Sequence, residues 1–117
     1  LHFGTSDEER LRAASELVNP FTAESTANMA RGAEVYRTYC QVCHGAGGAG
    51  DGTVTQRGYP PPPSLSAVQT VNRTDGELFH IITYGFKNMP QYASQVDRED
   101  RWYVINHIRT MQANNPE

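Results

Sequence analysis

Apolar positions recur at helical spacing in four stretches of this chain, and nothing in it alternates strand with helix. Ser6-Asp7-Glu8-Glu9 reads as a capping box, with Ser6 as N-cap and Glu9 three residues on. It predicts a first helix of about three turns, ended by Asn19-Pro20. Its stripe of Leu11, Ala14, Leu17 and Val18 is thin. Packing on the rest of the domain is expected for it, ahead of a role as part of a tether. A second helix is predicted from near residue 26 to about residue 39, with Met29, Ala33, Tyr36 and Cys40 on one face. Gly32 in its middle costs up to about 1 kcal/mol relative to alanine, which a close helix crossing would justify. Thr74, with Glu77 three residues on, starts a third helix. Leu78, Phe79, Ile81 and Ile82 supply its buried side, and Gly85 closes it. The last helix runs from about 97 to 111, with Asp97, Glu99 and Asp100 near its N-terminus. Trp102, Val104, Ile105, Ile108 and Met111 give it a broad apolar face.

Between the second and third helices lie two stretches of special backbone. Residues 45–52 are glycine-rich, but follow no strand and lack the Gly-Lys-Ser/Thr ending of a phosphate loop. They read as a turning loop with several positive-φ positions. The four prolines at 60–63 are extended and stiff, a wall rather than a ligand for a proline-reading module.

The chemistry is announced at Cys40-Gln41-Val42-Cys43-His44. Two cysteines three apart, followed at once by histidine, form the attachment signature of c-type haem. Each thiol adds across one haem vinyl group, and the imidazole becomes the proximal ligand of the iron. A thioredoxin-like dithiol would need a β-α-β setting. Structural zinc would want a second compact ligand pair, whereas His80 and His107 are far apart. A disulfide between Cys40 and Cys43 would close a tiny, strained loop.

Size and charge narrow the picture. With 117 residues the chain is long enough for one domain. It divides into an N-terminal helical extension, residues 1–28, and a haem domain, residues 29–117. Its apolar content of 38% is lean for a self-sufficient core, which suits a macrocycle at the centre. The net charge is −3, and Lys87 is the single lysine beside nine arginines. No basic patch suggests nucleic acid. No apolar run approaches the length needed to span a bilayer. The first residue is Leu1, so an upstream signal peptide or membrane anchor is expected to have been removed. Haem attachment outside the cytoplasmic membrane makes the periplasm the expected location.

A proximal histidine leaves one axial position to fill. The candidates are Met29, Met89, Met111, His2, His80 and His107. Met29 and Met111 fall on apolar helix faces, where methionine is ordinarily core. His80 sits on a helix of large apolar residues and reads as a satisfied histidine, and His2 lies in the terminus. Met89 sits in a loop stiffened by Pro90 and can fold over a haem face, so it is the expected sixth ligand. A soft, neutral thioether favours the reduced iron, and two filled axial positions favour electron exchange over ligand chemistry.

These residues together resemble the class I c-type cytochromes. In that family a glycine eight residues and an aromatic four residues before the first cysteine cross the last helix; Gly32 and Tyr36 stand there. The partner positions resemble Val104 and His107, the latter where the family usually has an aromatic. Pro63-Ser64-Leu65 is similar to the family's Pro-x-Leu element, whose proline carbonyl accepts a hydrogen bond from the proximal imidazole. Pro62 is the second choice of register. The spacing from Tyr84-Gly85 to Met89-Pro90 resembles the distal methionine loop. The resemblance implies an all-α class I cytochrome c fold around one covalent haem c held by Cys40 and Cys43. It implies iron ligation by His44 and Met89, and electron transfer rather than catalysis. The run of Cys-His-Gly, Gly-Asp-Gly and Pro-Pro-Ser-Leu is similar to monohaem cytochromes tied to bacterial respiratory complexes, including alternative complex III. That likeness implies a quinol-oxidising complex as electron donor and a terminal oxidase as acceptor. Haem propionates would need donors, and Arg57, Tyr59, Arg73, Tyr84, Tyr92 and Trp102 form the pool. The haem edge is expected near Val42, with only Lys87 supplying a lysine nearby. Docking on partners should therefore be apolar and vary little with salt.

Overall fold

The structure is a computed structural model that describes residues 4–21, 25–58, 60–87 and 89–115, the side chain of Gln56 excepted. Among the described residues the regular structure is helical, apart from one isolated bridge between Phe86 and Met89. The helices are α1 (Asp7–Glu16), α2 (Thr26–Val35), α3 (Gln41–His44), α4 (Val68–Val71), α5 (Asp75–Tyr84) and α6 (Arg98–Asn114). A π-helical turn, Tyr36–Cys40, joins α2 to α3, and a 3-10 turn covers Thr55–Arg57. None of the described helices is long and apolar enough to cross a membrane. Helix α2 begins at Thr26, so it runs across the division expected between residues 28 and 29.

Local chemistry explains most helix ends. The Ser6, Ser25 and Thr74 hydroxyls accept from the N–H groups of Glu9, Asn28 and Glu77, at 3.1, 3.2 and 3.2 Å. Gly85 ends α5 at φ 81°, with its N–H donated to the Ile81 carbonyl at 2.7 Å.

Helices α2 and α6 cross at Gly32. A Cβ there would overlap the backbone carbonyl oxygen of Tyr103 and stand 3.4 Å from the Cβ of His107. The Tyr36 ring lies 5.2 Å from the His107 ring, and its hydroxyl donates to the Gly45 carbonyl at 2.6 Å. The aromatic partner expected at the crossing is thus a histidine, packed as a ring. Arg31 ties the same pair of helices, with two bonds to the Asp100 carboxylate of 3.1 and 2.9 Å. Around this crossing Val35, Tyr36, Leu78, Phe79, Ile82, Trp102, Val104, Ile105, Ile108 and Met111 form one core. Phe79 stacks on Trp102 at 4.2 Å.

Helix α1 packs on the domain, as expected, through α5, but its buried face is shifted: Leu17 of the expected stripe is partly buried against the core. Leu11 and Val18 are 59% and 75% exposed, whereas Ala13 is fully buried. The reason is steric. Gly76 lets α5 approach so closely that a Cβ there would overlap the carbonyl oxygens of Ala13 and Leu17. A contact at that distance selects a small residue over large apolar ones. Polar bonds close the joint: Thr74 Oγ1 donates to the Ala14 carbonyl at 2.7 Å, and Arg10 donates to Glu77 at 2.9 Å. Buried Asn19 donates to Asp75 at 3.1 Å and to Asn106 at 2.8 Å.

A candidate haem site between the cysteine helix and the methionine loop

The π turn sets the site's geometry. One extra residue in this turn, closed by the Gln41 N–H on the Tyr36 carbonyl, re-aims the chain between Tyr36 and Cys40. Tyr36 stays in the α2–α6 crossing while Cys40, Cys43 and His44 face a cavity of about 260 Å³. The glycine loop then returns the chain over α3. Gly50 and Gly52 donate to the carbonyls of His44 and Cys43 at 2.8 and 3.1 Å. Gly45, Gly48 and Gly50 take positive φ, as a turning loop requires. Residues 60–63 form part of the cavity wall, the role expected of four prolines. Leu65 follows as a buried wall residue, its N–H on the Gly48 carbonyl at 2.7 Å. Gln112 of α6 donates to the Leu65 carbonyl at 2.7 Å, a support that the sequence did not reveal.

The opposite wall comes from α5 and the loop after it. Leu78, Ile81 and Ile82 line the cavity, followed by Phe86, Lys87, Met89, Pro90 and Tyr92. Phe86 and Met89 exchange two backbone hydrogen bonds, of 3.1 and 2.9 Å, across a tight turn in which Lys87 has φ 54°. Gly85 admits the return: a Cβ there would stand 2.7 Å from the Met89 carbonyl oxygen. Of the three methionines, only Met89 lines the cavity; Met111 is core beside Gly48, and Met29 lies on α2.

The remaining candidates sort themselves by contact. His80 is buried, its Nε2 is 2.7 Å from the Gly4 carbonyl, and its ring packs on Tyr84 at 4.8 Å. His107 sits in the helix crossing. His2 and Tyr59 lie outside the described residues. Of the other expected propionate donors, Arg73 and Tyr92 line the cavity, whereas Arg57, Tyr84 and Trp102 do not. Gln69 and Thr70, which precede Arg73 on the same wall, were not anticipated.

The hydrogen bond expected from the His44 ring to a proline carbonyl is not formed. His44 Nδ1 is buried and has no partner. The Pro62 carbonyl is turned instead onto Gly50, where a Cβ would overlap it. The proline wall thus lies close against the glycine loop at Gly50.

Electrostatics disfavour the rival readings of the cysteines. Burial, with the charge of Cys43 second, pushes the Cys40 thiol up to about 12, the reverse of what a reactive dithiol needs. Burial also lowers the pKa of His44, so a neutral, ligating imidazole is favoured. Among the described residues no three His, Cys, Asp or Glu side chains gather as a metal site of their own.

Residues 27–108 match the family described as cytochrome C oxidase, cbb3-type, subunit III. The chain belongs to this family of cytochrome c domains. It is therefore a class I monohaem cytochrome with covalent haem c, and Cys40, Cys43 and His44 fit its attachment motif. A solved structure titled as the Kuenenia stuttgartiensis reducing HAO-like protein complex Kustc0457/Kustc0458 contains a chain of similar fold. The TM-score is 0.62 at 20% identity, over 74% of the cytochrome and 44% of the neighbour. The cytochrome thus spans less than half the length of that neighbour. No curated protein sequence matches it.

The residues present fit the cofactor of this family. The cavity offers two thiols three residues apart, an imidazole beside them and a thioether from the facing loop. Its walls are mostly aliphatic, proline and aromatic side chains, with Arg73 and Lys87 as cations suited to carboxylates.

Proposed function

We propose that the cytochrome is a single-electron carrier of a bacterial respiratory chain, in which Cys40 and Cys43 hold the porphyrin and His44 and Met89 ligate its iron. The observation that carries this reading is the company kept in one cavity: His44 and Met89, 45 positions apart, line it together, and no other described histidine or methionine does. When bound, the haem supplies a one-electron couple, and the protein's part is to keep both axial positions filled and water out. Pro63 and Leu65 form the wall on which the macrocycle rests. The Phe86–Met89 turn presents the sulfur from a loop held at both ends. With no open coordination position, the domain transfers electrons and does not act on a substrate.

A quinol-oxidising complex is the proposed donor and a terminal oxidase the acceptor, on the outer face of the cytoplasmic membrane. The description of the matched family, an oxidase subunit, supports the acceptor side. It equally supports a second reading, in which the domain is the relay of a larger oxidase subunit. The domain boundary is best placed near Ser25, which caps α2, with α1 as the extension before it.

Met89→Ala tests the ligand set. The oxidised protein is expected to lose the far-red sulfur-to-iron band and turn high-spin, and the reduced protein to bind carbon monoxide. An unchanged spectrum and midpoint potential would remove Met89 from the iron. Docking is expected through the half-exposed Val42 and its surroundings, with electron-transfer rates that barely change as salt rises. A steep fall in rate with ionic strength would overturn that mode of docking.

A further inference from the structure

We propose that Arg10, on the N-terminal extension, is a positioning residue for the methionine loop and sets how often that loop releases the iron. This rests on the reading of Met89 as the sixth ligand. Three cations surround the ring of Phe86: the Cζ of Arg10 and of Arg73 lie 4.6 and 5.0 Å from its centroid, and Lys87 Nζ 5.2 Å. Arg10 and Arg73 both donate to one oxygen of Glu77, at 2.9 and 2.6 Å. These three charged side chains are only 12–15% exposed, so their attractions are weakly screened by water. Phe86 in turn holds Met89 by two backbone hydrogen bonds.

A continuous set of contacts therefore runs from α1 through the Phe86 ring to the backbone of the sulfur-bearing residue. Arg73 and Glu77 fix the ring from the side of the haem domain, while Arg10 closes it from outside. Arg10 lies before the matched family region, residues 27–108, so this clamp belongs to the extension of this chain. Anything that pulls α1 from α5 would loosen the sixth ligand without touching the cavity.

The test uses the oxidised holoprotein with imidazole as the competing ligand. At high imidazole the binding rate reaches a limit set by loop release. Arg10→Ala is expected to raise that limit roughly 5- to 30-fold, with faster hydrogen exchange at the Phe86 and Met89 amides. Arg10→Lys should recover much of the parent rate. Phe86→Leu, which keeps apolar bulk but removes the ring, should accelerate release as Arg10→Ala does. Arg31→Ala breaks a more exposed arginine–carboxylate pair between α2 and α6, away from Phe86, and should leave the limit unchanged. A limit in Arg10→Ala within about twofold of the parent, or an equal rise in Arg31→Ala, overturns the clamp while leaving the ligand set intact. A parent protein lacking the sulfur-to-iron band overturns the ligand set and the clamp with it.

Discussion

Two helix crossings in this cytochrome are built on the same device and finished with different proportions of ring and ion contacts. At α2–α6, Gly32 admits the carbonyl of Tyr103; at α1–α5, Gly76 admits the carbonyls of Ala13 and Leu17. Rings fill the first, Tyr36 on His107 with Phe21, just before α2, on Tyr103 at 5.0 Å, and the Arg31–Asp100 pair lies at its edge. Hydrogen bonds and ions seal the second, through Thr74, Arg10 with Glu77, and Asn19 with Asp75. Backbone proximity is therefore a general way to join helices, and the surrounding side chains decide what can unjoin them. The ring-filled crossing sits under the haem cavity and answers mainly to packing. The ion-sealed one carries the extension and answers to charge.

The largest effect is expected at the ring-filled joint. Gly32→Ala puts a methyl into a backbone carbonyl between two core helices, and should cost about 3 kcal/mol or more in guanidinium unfolding of the holoprotein. A loss below about 1 kcal/mol would show that α2 can slide past α6. Glu77→Gln strikes the other joint. It leaves Arg10 and Arg73 facing each other without their shared carboxylate, and should cost about 2 kcal/mol, less than a fully buried pair would. High salt should narrow the gap between parent and variant. Gly76→Ala should cost about 1–2 kcal/mol, because α1 can tilt away from the methyl, whereas α2 is held on both sides.

The smallest effect concerns pH. Burial, and then the neighbouring Arg37, lower the pKa of His107 below its ordinary 6.5. The folded protein therefore binds this proton less readily than the unfolded chain. Its contribution to stability is complete above about pH 6.5 and is lost as pH falls from there through the folded value. His107→Phe should flatten that part of the profile and keep a ring in the crossing. An unchanged slope of unfolding midpoint against pH would move the acid sensitivity elsewhere.

The two joints were unequally legible. Gly32 and Tyr36 could be placed because they stand at the offsets that the family resemblance sets from the cysteines, and Val104 by the same resemblance on the last helix. Helix α5 could be placed to the residue because Thr74, Glu77 and Gly85 are local signals. On α1 the expected stripe holds at Leu17, which packs on the core, and fails at Leu11 and Val18, because the close contact at Gly76 buries Ala13 in their place. The π turn has no local signal; it follows from holding Tyr36 in the crossing while Cys40 reaches the cavity. In the candidate site, the cysteines, His44 and Met89 were visible as a motif and a loop. The bond from His44 to a proline is not formed, and the Pro62 carbonyl lies against Gly50. Arg10 was invisible as a site residue, since nothing along the chain links it to a loop 76 positions away.

Lys87 stands exposed at the tip of the turn that carries Met89, on the rim of the cavity, and it is the only side-chain amine in the sequence. An amine-selective cross-linker or fluorophore would thus mark the body of the protein at one spot, beside the mouth through which the cofactor meets its partners. What looks like a poverty of lysine becomes a built-in label for finding them.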